Sequence, residues 1–175
     1  MIGTDTLTGE RADLLGSLRT HRFFLRHTTR ELTDAQAAAA PTASALCLGG
    51  LIKHVARVEE RWARFILEGP TAMAGPAKKW TDADYTAWES SFQMRPGETL
   101  AGVLADYERV AARTDELIAT VDLDAAHPLP EAPWFEPGAH WSTRRVLLHI
   151  IAETAQHAGH ADIIRETIDG AKSMG

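Results

Sequence analysis

Four stretches of this chain repeat apolar residues every three or four positions, and none alternates them in the twofold pattern of a half-buried strand. The first runs from about Thr8 to Leu32, with Leu14, Leu15, Leu18, Phe24 or Leu25, and Leu32 on its stripe; Asp34 and Pro41 close it and open an alanine-rich loop. The second runs from Ser44 or Leu48 to Leu67 through Leu51, Val55, Val58, Trp62 and Phe65, and Gly69-Pro70 ends it. The third starts at Thr99, a side chain suited to cap a helix, and continues through Leu100, Val103, Leu104, Tyr107, Val110 and Leu117 to Val121. The fourth begins after Ser142, a second capping residue, and runs to about Asp169, where Gly170 supplies the stop. Helices of this length and number predict an all-α fold, a four-helix bundle.

Two connections are too long to be simple turns, so the bundle is expected to have long, partly ordered crossover loops. Residues 68–98 hold Gly75-Pro76, Trp80, Trp88 and Pro96, and the run from Thr81 to Trp88 reads as a short helix capped by Thr81. Residues 122–141 carry Pro128, Pro130, Pro133 and Pro137 with Trp134 and Trp141, and are expected to form an ordered wall or lid. The 175 residues predict a single domain, 1–175, long enough to bury a substantial core.

Hydrophobic residues make up 45% of the chain and charged residues 24%, the balance of a soluble globular protein. No apolar run reaches membrane-span length, and the N-terminus lacks a basic-then-apolar leader. The single cysteine, Cys47, excludes an internal disulfide and fits a reducing compartment, so a cytoplasmic protein is expected. Cys47 itself reads as a small buried residue rather than a nucleophile. The net charge of −6, with no basic stripe, argues against a nucleic-acid partner.

The fourth helix carries His149, Glu153, His157 and His160 at spacings of four, four and three. At 100° per residue these side chains fall within an arc of roughly 80°, one stripe along one face. On the second helix His54 lies three residues after Leu51 and four before Val58, so it sits on the apolar stripe. Glu153 and His157 emerge one turn apart, close enough to share a cation. With His54 from a facing helix they make three protein ligands, leaving a position for water or substrate as in catalytic zinc sites. The spacing alone also allows a hydrogen-bonded core histidine and a solvated Glu/His pair.

Three segments together carry a resemblance that covers nearly the whole chain. They are Glu10-Arg11-Ala12-Asp13-Leu14-Leu15, the run LCLGGLIKHVARVEERW from Leu46 to Trp62, and RVLLHIIAETAQHAGHADIIRE from Arg145 to Glu166, followed by Asp169-Gly170. In these the chain resembles the DinB/YfiT-like superfamily of metal-binding four-helix bundles, in the branch of mycothiol-dependent S-transferases and maleylpyruvate isomerase. The resemblance implies a divalent metal, Zn²⁺ with Ni²⁺ or Fe²⁺ as alternatives, held by His54, Glu153 and His157, with His160 and His149 beside the ligands. It implies a low-molecular-weight thiol, mycothiol or similar, attacking an electrophilic small molecule, and a homodimer. Arg145, Arg165 and Trp62 are candidates for orienting the substrate. Relatives of the isomerase carry a further C-terminal domain, so with the sequence ending at Gly175 isomerisation is not expected. The alternative is a non-catalytic, metal-binding dimeric bundle.

Overall fold

Each periodic stretch forms a helix in the computed structural model, which describes residues 7–73, 81–82, 90–132 and 134–173. The elements are α1 (Gly9–His27), α2 (Asp34–Ala38), α3 (Leu48–Glu68), α4 (Leu100–Thr120), β1 (Ala126–Pro128), β2 (His140–Ser142) and α5 (Thr143–Asp169). The proposed caps do their work. The Thr99 side chain accepts from the Gly102 amide and that of Ser142 from the Arg145 amide. Gly69 and Gly170 follow their helices at φ of 65° and 78°, a region open to glycine.

Long-range contacts set the topology. Arg11, near the start of α1, donates to the carbonyls of Ile118 and Val121 at the end of α4. Arg165, near the end of α5, donates to the carbonyls of Thr28 and Arg30, just beyond α1. Lys53 near the start of α3 meets Glu98 just before α4. The long helices therefore run up, down, down, up. The connection from α3 to α4 must return along the full bundle, and that requirement accounts for the length of residues 69–99.

The core divides in two. Leu14, Leu18, Phe65, Ile118, Leu147 and Ile150 pack around one end, and Leu25, Leu48, Leu51, Val55, Tyr107 and Ile164 around the other. Between them lies a polar layer: Arg22 of α1 forms a paired ion bridge with Glu59 of α3, which is fully buried, and reaches Asp115 of α4 at 2.6 Å. At the same level Thr114 of α4 and Thr154 of α5 are buried, each hydroxyl returning to a carbonyl one turn earlier. A charge this deep is tolerated only when paired and hydrogen-bonded.

Two expectations are corrected and a third, the ordered segment 122–141, is given its form. The first helix stops at His27 rather than Leu32: the hydroxyls of Thr28 and Thr29 turn back to the carbonyls of Leu25 and Arg26, and Glu31 takes a left-handed φ of 59°. The alanine-rich loop contains a single helical turn, α2, closed by a capping box between Thr33 and Gln36. Residues 122–141 include an antiparallel ladder in which His127 pairs with Trp141. The short helix expected from Thr81 to Trp88 lies outside the described residues, apart from Thr81 and Asp82.

Candidate metal centre

Where α3 packs against α5, the apolar stripes bury Leu51 and Val55 on one helix and Thr154 and Ala158 on the other. Each buried position has a polar neighbour at the seam's edge: His54 on α3, Glu153 and His157 on α5. The three expected ligands come together there. One donor atom from each lies within 4.8 Å of the other two, in a half-buried setting. His157 Nε2 stands 3.7 Å from Glu153 Oε2, and His149 Nε2 3.8 Å from Glu153 Oε1. The ring of His54 meets that of His157 edge-on at 4.7 Å.

Burial, aided by the His157 ring and Arg57, pushes the His54 imidazole down to about 4 against the pull of Glu153. Burial likewise lowers His149, with Arg145 adding to the effect and Glu153 opposing it. The facing His157 ring holds the Glu153 carboxyl below its usual range against the cost of its partial burial, with the His149 and His54 rings close by. At neutral pH His54 and His149 are therefore neutral and Glu153 is ionised. A neutral imidazole and a carboxylate are the ligating forms, so the donor set fits a borderline divalent cation.

These shifts predict how metal-free protein responds to acid. Between about 4 and 6.5 the unfolded chain binds protons at His54 that the folded chain refuses, and His149 shifts in the same direction, so stability rises with pH across this window. Glu153, lowered in the fold, adds a loss in the same direction as pH falls further. The urea midpoint of metal-free protein is expected to be lower at pH 5 than at pH 7.5, and the gap to narrow in His54→Gln. Equal gaps in the two proteins would remove His54 from this account.

Aromatic rings wall the cleft. Trp62 stacks on Trp141 at 4.9 Å, and both rings present faces or edges to His149 at 4.9 and 5.2 Å. Phe135 closes on the same pair. The Arg145 guanidinium lies over Trp141 at 4.5 Å, with no acidic partner among the described residues. Trp62 and Arg145 thus border the cluster through His149. Trp134 reaches the wall only at its rim: it is 76% exposed and meets the Phe135 ring edge-on at 6.2 Å. His160 sits beside the ligands, its Nδ1 3.4 Å from that of His157. Cys47 is buried at the start of α3, its thiol directed to the Phe92 carbonyl.

Arg165 is a correction. It is buried, bonded twice to Asp169 and to the carbonyls of Thr28 and Arg30. Four of its five donors are consumed, so it holds the bundle together and leaves little for a substrate. A groove of about 920 Å³ between α1 and α4 is similarly committed: Arg19, Arg22 and Arg26 there pair with Asp115 and Glu108. The residue that sequence reasoning missed is Phe92, whose ring stacks on His54 at 4.3 Å. Its signal was Gly49-Gly50, two consecutive glycines in the first turn of an otherwise apolar helix, a sign of close backbone approach.

The features together define a class: a helical bundle with two long connections that sets a His/Glu/His donor cluster across two facing helices beside an aromatic wall. The chain belongs to the mycothiol-S-transferase family, whose model matches residues 13–170, and so to the DinB/YfiT-like bundles. Among solved structures it is similar to a conserved protein from Enterococcus faecalis, at a TM-score of 0.67 and 13% identity, over 94% of this chain and all of that one. At that identity the likeness speaks for the fold alone. No curated protein matches the chain.

Proposed function

We propose that this chain is a metal-dependent S-transferase that activates a low-molecular-weight thiol, mycothiol or a near relative, for attack on an electrophilic small molecule. The observation that carries the reading is the convergence of His54, Glu153 and His157 donor atoms within 4.8 Å, in a member of the mycothiol-S-transferase family. These three residues would hold the divalent cation, with Zn²⁺ the first candidate and Ni²⁺ or Fe²⁺ accepted by the same ligands. When bound, such an ion lowers the pKa of a thiol so that the thiolate persists near neutral pH.

The chain's own residues supply the rest. Two neutral imidazoles and one carboxylate leave a divalent site at a net charge of about +1, a balance that favours an anionic ligand. His149, held neutral beside Glu153, offers a ring nitrogen to accept the thiol proton. The sulfur lone pair then forms the S–C bond and the leaving group departs with the bonding electrons. Trp62, Trp141 and Phe135 exclude water from one side of the cleft, and Arg145 presents its charge to an anionic group on a substrate. No described helix is long and apolar enough to cross a membrane. Exposed Leu148 and Ile163 on α5 support a second copy as the oligomeric partner.

The test is turnover. With zinc-loaded protein, conjugation of mycothiol or N-acetylcysteine to monobromobimane is expected to exceed the uncatalysed rate by at least about 100-fold, the scale of positioned proton transfer. Chelator and Glu153→Ala should each remove the excess. Protein that retains its metal yet gives no acceleration would sink the transferase reading and leave the non-catalytic metal-binding bundle.

A further inference from the structure

The segment of residues 90–94 lies across the start of α3, and two glycines make room for it. A Cβ at Gly50 would stand 1.6 Å from the Phe92 carbonyl oxygen, and one at Gly49 2.2 Å from Met94 Sδ. Glycine weakens a helix by about 1 kcal/mol relative to alanine, so a consecutive pair here has to be explained by what it admits. The strap is tethered as well as seated. Lys53 Nζ donates to the Gln93 carbonyl at 2.9 Å and to Glu98 Oε2 at 2.6 Å. Glu98 in turn accepts from the Arg95 amide, and the Cys47 thiol points at the Phe92 carbonyl from 3.7 Å.

The product of this seating is one contact. The half-buried Phe92 ring lies over the His54 imidazole at 4.3 Å, 25° from parallel. Metal-ligating histidines are usually oriented by a hydrogen bond from the second ring nitrogen to a carboxylate or carbonyl. His54 makes no hydrogen bond or ion pair with any described residue. Among the described residues its plane is set by rings, Phe92 across its face and His157 against its edge.

We propose that Phe92, held in place by the Gly49–Gly50 notch, is a positioning residue that fixes the His54 imidazole toward Glu153 and His157 in place of the usual hydrogen bond. The assignment rests on reading these three residues as metal ligands. It makes the connection between α3 and α4 part of the metal centre, although none of its described residues is among the three proposed ligands.

The test uses the full chain, stripped of metal and titrated with Co²⁺, whose visible absorption reports coordination geometry. Phe92→Leu keeps apolar volume and removes the aromatic plane; Gly50→Ala keeps the ring and displaces the strap. Both are expected to weaken Co²⁺ binding about 10- to 100-fold, the scale of lost outer contacts, and to alter the absorption bands. Phe92→Tyr should restore both to near wild type. In metal-free protein the ring protons of His54 should move downfield in Phe92→Leu as the ring current is lost. Wild-type affinity and spectrum in both Phe92→Leu and Gly50→Ala would overturn the positioning role alone. A wild-type protein that binds no Co²⁺ would overturn the metal reading and this role with it.

Discussion

Wild-type protein is expected to hold about one divalent ion per chain, and His54→Ala and His157→Ala each to lose it while the helical signal is retained. Each variant leaves two ligands of three, one of them the carboxylate, and two donors do not hold a borderline cation against water. The fold should survive because neither ring belongs to the buried clusters on either side of the polar layer; both lie half-buried at the edge of the α3–α5 seam. The measurement is elemental mass spectrometry on protein without a histidine tag, beside far-ultraviolet circular dichroism. A second signature is thermal: an ion at 100 times its Kd stabilises the fold by about 2.7 kcal/mol, and neither variant should show this gain. Full metal content in either variant would take that residue out of the ligand set.

Glu59→Leu is expected to destabilise the bundle by about 3–5 kcal/mol, the scale for stranding one partner of a buried ion pair. In a chain of this size that lowers Tm by about 6–20 °C. The Arg22 guanidinium is buried with it and keeps only Asp115, which is itself partly exposed and shared with Arg19. The double variant Arg22→Leu, Glu59→Leu should recover most of the loss, because the charge and its desolvation leave together. Urea unfolding of the three proteins decides the matter. A loss under about 1 kcal/mol in Glu59→Leu would mean that the pair behaves like a surface bridge.

The helices of the second half were legible because their signals are local. Thr99, Ser142 and Gly170 sit where caps belong, and the apolar spacing between them is unbroken. The nearness of the three His/Glu/His side chains was legible for the same reason: two of them are one turn apart on one helix, and the third rides an apolar stripe. The ladder was not, because three-residue strands have no period to read and one of them ends in Pro128. Nor was the fate of two arginines. Arg165 and Arg22 look like surface charges in a list of residues, and only the assembled bundle shows one consumed by carbonyls and the other by Glu59. Phe92 was beyond reach because its ring meets His54 only after the chain has returned along the bundle.

The arginine contacts at the helix ends carry a consequence for how the molecule comes apart. A helix leaves its last carbonyls unpaired and its C-terminus partly negative, and a nearby cation answers both. Here the cation for the end of α4 comes from Arg11, more than a hundred residues earlier, and the cation beyond the end of α1 comes from Arg165, more than a hundred residues later. Each of these two helices is punctuated by another. An excised α1 peptide would have no such full stop, and a bundle that loses one outer helix loses the ending of a second. Secondary and tertiary structure are then coupled, so that neither α1 nor α4 can fray far at its C-terminal end without unmooring a helix from the opposite end of the chain.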